Sequence, residues 1–207
     1  MKLLHIVASP RGERSASTEV AHAFINAVQA KHAGSTCDTL DVWHTTLPAF
    51  DGPALDAKYA ALEGRTRTDQ QRVVWDQIKS LASRFHAAEL ILFSVPMWNL
   101  GIPYRLKHLI DAVSQKDVLF TFDERGLLGL LGGRKVVVIG ARGVALASAD
   151  AAPATDFMND YMAAWANMVG IDDFHSVHVE KTLYGPDQDH ASRAAACERA
   201  RALANSL

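Results

Sequence analysis

A serine-rich loop near the start of the chain is the first candidate for a chemical role. It spans Ser9 to Ser17, with the sequence Ser-Pro-Arg-Gly-Glu-Arg-Ser-Ala-Ser, and joins an apolar run of strand length to a segment of helical period. Backbone N–H groups at a helix N-terminus lack intrahelical partners and carry the positive end of the helix dipole, so they bind anions. Because the loop contains neither G-x-G-x-x-G nor G-x-x-x-x-G-K-[ST], it fits a single phosphate monoester better than a dinucleotide or a triphosphate. The alternative interpretation is that Ser15 or Ser17 only caps the helix.

A second loop, from Pro96 to Pro103, follows an almost wholly apolar run. It combines a large flat aromatic residue, Trp98, with the side-chain amide of Asn99 and a glycine two residues later. Such a set can pack against a planar heterocycle and hydrogen-bond its polar edge. The alternative is an ordinary turn in which Trp98 covers the core.

A third loop, from Gly140 to Val144, ends another apolar run. Its two glycines allow the backbone to come close to a ligand. Arg142 lies between them, and its alternative role is that of a solvated loop charge. Each loop alone is weak evidence, but three such loops at neighbouring strand ends together indicate a ligand site.

The elements that must position these loops follow from the alternation of short apolar runs with longer segments of helical period. The pattern predicts strands over 3–8, 36–42, 90–95, 135–140 and 174–179, and helices over 16–31, 69–86, 103–114, 154–168 and 187–205. This alternation is typical of a doubly wound parallel sheet, and it predicts a flavodoxin-like three-layer fold with strand order 2-1-3-4-5 in one domain, residues 1–207. All three loops then lie at the carboxyl edge of the sheet. The long stretches 48–67 and 115–133 are interpreted as insertions, the first as a site loop or lid.

Composition disfavours several classes of partner. Lys and Arg number 21 against 23 Asp and Glu, a formal net charge of -2, so no basic face is expected for nucleic acid or an anionic membrane. No apolar run reaches the roughly 18 residues of a membrane span. The start of the chain is too short for a signal peptide, which predicts a cytoplasmic protein.

Other reactive side chains do not form a recognisable catalytic pattern. Cys37 and Cys197 lie far apart, so neither a disulfide nor a redox pair is expected. His175 and His178 point to opposite faces of a predicted strand, which makes a zinc site improbable. Ser94 lacks the G-x-S-x-G context of an acyl-hydrolase nucleophile. No metal is expected.

The residues of the three loops resemble a known family. The segment Pro96 to Asp111 reads Pro-Met-Trp-Asn-Leu-Gly-Ile-Pro-Tyr-Arg-Leu-Lys-His-Leu-Ile-Asp, and its Pro-Met-x-Asn part is the most specific. Together with the Ser9–Ser17 loop, Phe120-Thr-Phe, residues 126–133, Ala141-Arg142-Gly143 and Tyr184-Gly185-Pro186, it resembles the FMN-dependent NADH:quinone oxidoreductases, also called FMN-dependent NADH-azoreductases. The resemblance spans essentially the whole chain.

The resemblance implies a flavodoxin-like homodimer that binds one FMN per subunit without a covalent bond. It also implies that NADH reduces the flavin at N5, and that a quinone, or an azo compound in two turnovers, then takes two electrons in a ping-pong cycle. No side chain is implied as a nucleophile. The implied FMN-binding residues are Ser9, Ser15, Ala16, Ser17, Pro96, Met97, Trp98, Asn99, Leu100, Ala141, Arg142, Gly143 and Val144.

Three of these positions depart from the family pattern. Trp98 stands where tyrosine is usual, Leu100 where an aromatic residue is common, and Val144 where a second glycine often follows. The first two change the width of the pocket, and Val144 restricts a backbone that has to approach the flavin.

The resemblance also implies a substrate pocket that a second copy of the chain completes. Its aromatic residues are Trp98, Phe120, Phe122 and Trp165. The alternative is that the last three pack inside their own subunit. A second function also stays open, in which the chain is a flavodoxin-like FMN-binding electron carrier that does not oxidise NADH.

Overall fold

The computed structural model describes residues 1–146 and 156–207. The elements in chain order are β1 (Lys2–Val7), a short 3-10 helix (Gly12–Arg14), α1 (Ala16–Lys31), β2 (Thr36–Asp41), α2 (Gly52–Leu62), α3 (Asp69–Ala87), β3 (Leu90–Pro96), α4 (Tyr104–Val113), β4 (Phe120–Asp123), β5 (Gly126–Gly129), β6 (Lys135–Ala141), α5 (Phe157–Met168), β7 (Asp173–Val179) and α6 (Pro186–Ser206). The predicted helix 154–168 therefore begins at Phe157 among the described residues, and positions 154 and 155 lie outside them.

A parallel sheet of five strands forms the centre of the protein, as the apolar runs predicted. Its order is β2-β1-β3-β6-β7. The predicted order 2-1-3-4-5 becomes 2-1-3-6-7 in this numbering, because two further strands, β4 and β5, precede the fourth strand of the sheet. These two strands pair with each other as an antiparallel hairpin, from Phe120 opposite Gly129 to Asp123 opposite Gly126. Each is only four residues long, too short for alternation to identify it.

The stretch 48–67 is not the loop that its composition suggested, because it contains α2. Pro53 occupies the first turn of this helix, where its missing N–H leaves no hydrogen bond unmade. The buried face consists of Ala54, Ala57 and Ala60. A stripe made only of alanine has little hydrophobic contrast with its surroundings, so the sequence does not reveal the helical period.

Helices cover both faces of the sheet. Successive residues of a strand point to opposite faces, so Leu3 and Leu92 pack with α1 and α6, whereas Leu4 and Phe93 pack with α3, α4 and α5. Central strand β3 is buried from Leu90 to Val95. The loops at the carboxyl edge are therefore attached to the most rigid part of the fold.

One property of the helices bears on membranes. In the two described ranges, none of them is both long enough and apolar enough to cross a bilayer.

Candidate functional site

The three predicted loops begin side by side at the carboxyl edge. Ala8 N donates to Ser94 O at 3.0 Å, which joins the end of β1 to β3. Pro96 lies opposite Ala141 in the ladder between β3 and β6, and Met97 N donates to Ala141 O at 2.8 Å. The parallel sheet thus brings together the loops that the sequence singled out.

The serine loop buries three hydroxyl groups around the N-terminus of α1. Ser9, Ser15 and Ser17 are all buried. Oγ of Ser15 lies 3.1 Å from Oγ of Ser17 and also accepts from Thr18 N at 3.4 Å, as the N-cap of α1. The capping alternative therefore describes one bond of Ser15, while Ser17 lies inside the first turn. Ala16 is the first residue of α1 and is buried.

The loop after β3 forms a tight turn with an unusual backbone. Trp98 N donates to Gly101 O at 2.9 Å, and Gly101 N donates to Trp98 O at 3.0 Å. Asn99 and Leu100 between them have φ values of 48° and 71°, the signature of a type I′ turn. Leucine rarely adopts positive φ, and the cost is about 1–2 kcal/mol. Backbone strain of this kind is concentrated at functional sites.

Arg142 has a different environment from that expected of a solvated loop charge. Its side chain is buried; Nη1 donates to Glu180 Oε1 at 2.9 Å, and Nη2 forms an ion pair with Asp156. Its backbone N donates to Val179 O and its carbonyl accepts from Thr182 N. These partners engage both the guanidinium and the backbone of Arg142. The carbonyl oxygens of Ala141 and Gly143 are also used, since they accept from Met97 N and Leu183 N.

His178 lies against this ion-pair network. Its Nε2 is 3.3 Å from Arg142 Nη2. Burial first, and the positive charge of Arg142 second, lower the pKa of His178 to about 4. The imidazole is therefore neutral at pH 7 and adds no charge to the loop.

Of the four predicted substrate-pocket residues, Phe120 and Trp165 line one cavity within this chain, whereas Trp98 and Phe122 do not belong to its wall. Trp165 is buried, donates from Nε1 to Ser114 Oγ at 2.9 Å and packs edge-on against Phe93. Phe122 is exposed on the hairpin, where the ammonium of Lys116 lies 4.8 Å from the centre of its ring. Within this chain Trp165 therefore follows the alternative of packing inside its own subunit.

One cavity lies beside the second loop, and a smaller one adjoins it. The larger, about 950 Å³, contains Gly101 and Ile102 in its wall, together with Ala49, Phe50, Tyr104, Lys107, His108, Asp111, Phe157, Asp160 and Tyr161. The smaller, about 430 Å³, includes Phe120 and Trp165. Phe50, Asp111 and Tyr161 belong to both walls. Burial raises the pKa of Tyr161 to about 12, so its hydroxyl stays protonated.

Sequence reasoning did not single out Trp43 and Tyr104, whose rings pack against each other and against Trp98. Trp43, just after β2, lies 5.7 Å from Trp98 between ring centres and 5.4 Å from Tyr104. Its position after a strand, at the same edge as the three loops, is the signal that identifies it.

Comparison with known proteins agrees with the geometry. A family model described as "Flavodoxin-like fold" matches residues 1–204. The chain is 52% identical over 204 residues to FMN-dependent NADH:quinone oxidoreductase 2 of Pseudomonas syringae pv. tomato, covering 99% of this chain and 98% of that protein. It is 46% identical over 209 residues to FMN-dependent NADH:quinone oxidoreductase 3 of Pseudomonas fluorescens, covering 100% and 97%.

A solved structure extends the comparison to three dimensions. The crystal structure of an azoreductase from Bacillus anthracis matches with a TM-score of 0.88 at 25% identity, and the match covers 100% of both chains. The resemblance drawn from the sequence is confirmed, and the chain belongs to the family of FMN-dependent NADH:quinone oxidoreductases.

Proposed function

We propose that this protein is an FMN-dependent oxidoreductase that uses NADH to reduce quinones, and azo compounds to aromatic amines. The observation that carries the proposal is the meeting of a buried serine loop at a helix N-terminus with the Trp98 turn. One loop suits a phosphate and the other a planar ring. The curated relatives, named for FMN, NADH and quinone, match over nearly their whole length.

The serine loop fits the phosphate of FMN. The hydroxyls of Ser9, Ser15 and Ser17 are buried and can turn their donors towards an anion. The first N–H groups of α1 add donors and the positive end of the dipole. Gly12, with φ of 54°, lets the backbone bend around the group. Glu13, the one carboxylate of the loop, is exposed.

The other two loops suit the ring system. Trp98 offers a flat face, and Asn99 a side-chain amide at the exposed tip of the turn. The same side of the proposed ring site also includes Pro96, Met97 and Leu100. The opposite side consists of Ala141, Gly143 and Val144. Backbone donors at preorganised positions stabilise negative charge without reorganising, which is the contribution we assign to these loops.

FMN, when bound, supplies the two-electron redox chemistry that couples oxidation of NADH to reduction of the acceptor. The chain binds the cofactor, orients the reactants and excludes water from the site. We expect NADH and the acceptor to occupy one face of the site in turn, which predicts ping-pong kinetics. A protonated Tyr161 in the adjoining cavity can donate a hydrogen bond to an acceptor oxygen.

We further propose a homodimer, with residues 1–207 of each chain as one domain. An exposed apolar pair, Phe122 opposite Leu127, projects from the hairpin with 52% and 51% exposure. A flavin site needs an apolar roof, and a twofold contact uses the same patch on both chains. Activity followed alongside sedimentation at falling concentration tests this: monomers that keep FMN and full turnover would refute a shared site.

A cytoplasmic location also stays a prediction, supported by the use of NADH as donor. Cell fractionation with an antibody against the protein tests it.

The decisive experiment separates the enzyme from an electron carrier. Purified protein with FMN should be yellow, lose its colour with NADH in the absence of oxygen and recover it when a quinone is added. Protein that stays yellow with NADH would be a carrier. Steady-state rates with NADH and NADPH against several quinones and azo dyes then define the substrates.

A further inference from the structure

Trp43 connects the end of β2 to the entrance of the serine loop. Its backbone N donates to Asp41 Oδ1 at 2.8 Å, and its indole Nε1 donates to Ala8 O at 2.9 Å. Ala8 directly precedes Ser9. Both N–H groups of Trp43 are thus used, and the indole satisfies a carbonyl just beyond the last ladder bond between β1 and β2.

The ring of Trp43 also packs against Trp98 of the second loop and against Tyr104, the first residue of α4. Its centre lies 5.7 Å from that of Trp98 at 50°, and 5.4 Å from that of Tyr104 at 86°. These separations are within the range of favourable aromatic pairs. Trp98 and Tyr104 are 37% and 65% exposed, whereas Trp43 is half-buried and packs on the core. Trp43 is therefore the fixed member of the cluster.

Arg105 of α4 holds the backbone on both sides of Trp43. Its Nε donates to Val42 O at 2.9 Å and its Nη2 to Thr45 O at 3.1 Å. Because α4 directly follows the second loop, this helix fixes both the backbone around Trp43 and one end of the loop that carries Trp98.

We propose that Trp43 is a positioning residue that fixes the ring of Trp98, and through it the selection among quinones. The inference rests on the proposed function. Asn99 and Leu100, next to Trp98, are exposed at the tip of the turn. The ring of Trp98 pairs with Trp43 and, at 6.4 Å, with Tyr104, whose own ring is exposed and packs on Trp43. With Trp43 removed, Trp98 gains freedom, and discrimination between two-ring and one-ring quinones falls. The bond to Ala8 contributes separately, by shaping the serine loop.

Amide hydrogen exchange in cofactor-free protein tests the positioning directly. In Trp43→Leu the amides of Trp98 and Gly101 should exchange roughly threefold to tenfold faster, the range expected for loss of one aromatic pair. Trp75→Phe is the matched control, because Trp75 is buried on α3, stacked with Arg67 at 4.2 Å and outside the cluster. Unchanged exchange of both amides in Trp43→Leu would overturn the proposal.

Kinetics test the consequence for specificity. The ratio of kcat/KM for a naphthoquinone to that for a benzoquinone should change about fivefold in Trp43→Leu and in Trp98→Leu, with no further change in the double variant. If the changes in the two single variants multiply in the double variant, or if Trp43→Leu keeps the parental ratio, Trp43 does not act through Trp98.

Trp43→Phe separates the two contacts, and carries the test should Trp43→Leu not fold. The ring pair is retained and the bond to Ala8 is lost, so the dissociation constant of FMN should rise about fivefold while the quinone ratio stays parental. An unchanged dissociation constant of FMN would refute the role of the Ala8 bond. If the quinone ratio of Trp43→Phe were altered as much as that of Trp98→Leu, the ring contact would not be the basis of quinone selection. Absence of FMN binding or quinone turnover in the parent would refute the proposed function, while the exchange experiment would still decide whether Trp43 positions Trp98.

Discussion

His5 should make the fold sensitive to acid. Its side chain is buried in β1, and its Nε2 lies 3.0 Å from Oγ of Ser94 on β3. Burial first, and His22 second, lower the pKa of His5 from 6.5 to about 4, and Asp41 opposes this with the smallest of the three effects. The imidazole therefore stays neutral in the folded protein at pH values where the unfolded chain is already protonated.

The size of the effect follows from the two pKa values. This contribution is fully present above pH 6.5 and is lost as the pH falls towards 4, because only the unfolded chain takes up the proton there. The full loss is roughly 3 kcal/mol, of which about 2 kcal/mol disappears between pH 7 and pH 5. His178 acts in the same direction, so the parent loses more than this in total.

Urea unfolding at pH 7 and pH 5 isolates the contribution of His5. Gln at position 5 does not titrate and retains an amide for Ser94, so His5→Gln should lose about 2 kcal/mol less than the parent over this interval. His190→Gln is the control for replacing an exposed histidine, and we expect it to lose as much stability as the parent. Equal losses in all three proteins would refute the assignment of the acid sensitivity to His5.

Three further predictions concern the flavin site and the hairpin. Changing Ser15 and Ser17 together to Ala removes hydroxyl donors worth about 1.5–3 kcal/mol each to a charged phosphate, so the FMN dissociation constant should rise at least tenfold; equal retention of FMN in equilibrium dialysis would show that neither hydroxyl binds the phosphate. Trp98→Ala should change the ranking of quinones by kcat/KM more than the flavin content, and a uniform loss would make Trp98 structural. Gly129→Ala should cost about 3 kcal/mol or more in urea unfolding, because the added Cβ would overlap the backbone after α5 at 2.0 Å. Gly52→Ala meets no atom within 4 Å and should leave stability nearly unchanged.

The sheet and the place of the site were predictable from local patterns. Runs such as 90–95 are apolar almost throughout, which happens when a strand is covered on both faces. Parallel strands have their carboxyl ends at one edge, so the order of elements alone placed the serine, Trp98 and Arg142 loops together. These inferences need no knowledge of which side chains meet.

The features that the sequence does not reveal depend on weak hydrophobic contrast or on partners that lie far apart along the chain. The alanine face of α2 lacks the contrast that reveals a helix, and the hairpin strands are too short to show alternation. Arg142 has a sequence context like that of any loop arginine, and its burial depends on Asp156 and Glu180, which lie 14 and 38 positions away. The bond from Trp43 to Ala8 spans 35 positions. A single sequence does not specify such pairs.

The strained turn of the second loop connects the stability of the sheet to the site. Asn99 and Leu100 hold positive φ values, at a cost for leucine of about 1–2 kcal/mol. An isolated turn of this sequence would relax. Here its base, Trp98 and Gly101, is closed by two backbone bonds directly beyond β3, the most completely buried strand. The packed core therefore maintains an exposed backbone conformation that the residues of the turn disfavour. In this way the sheet determines the geometry of the site.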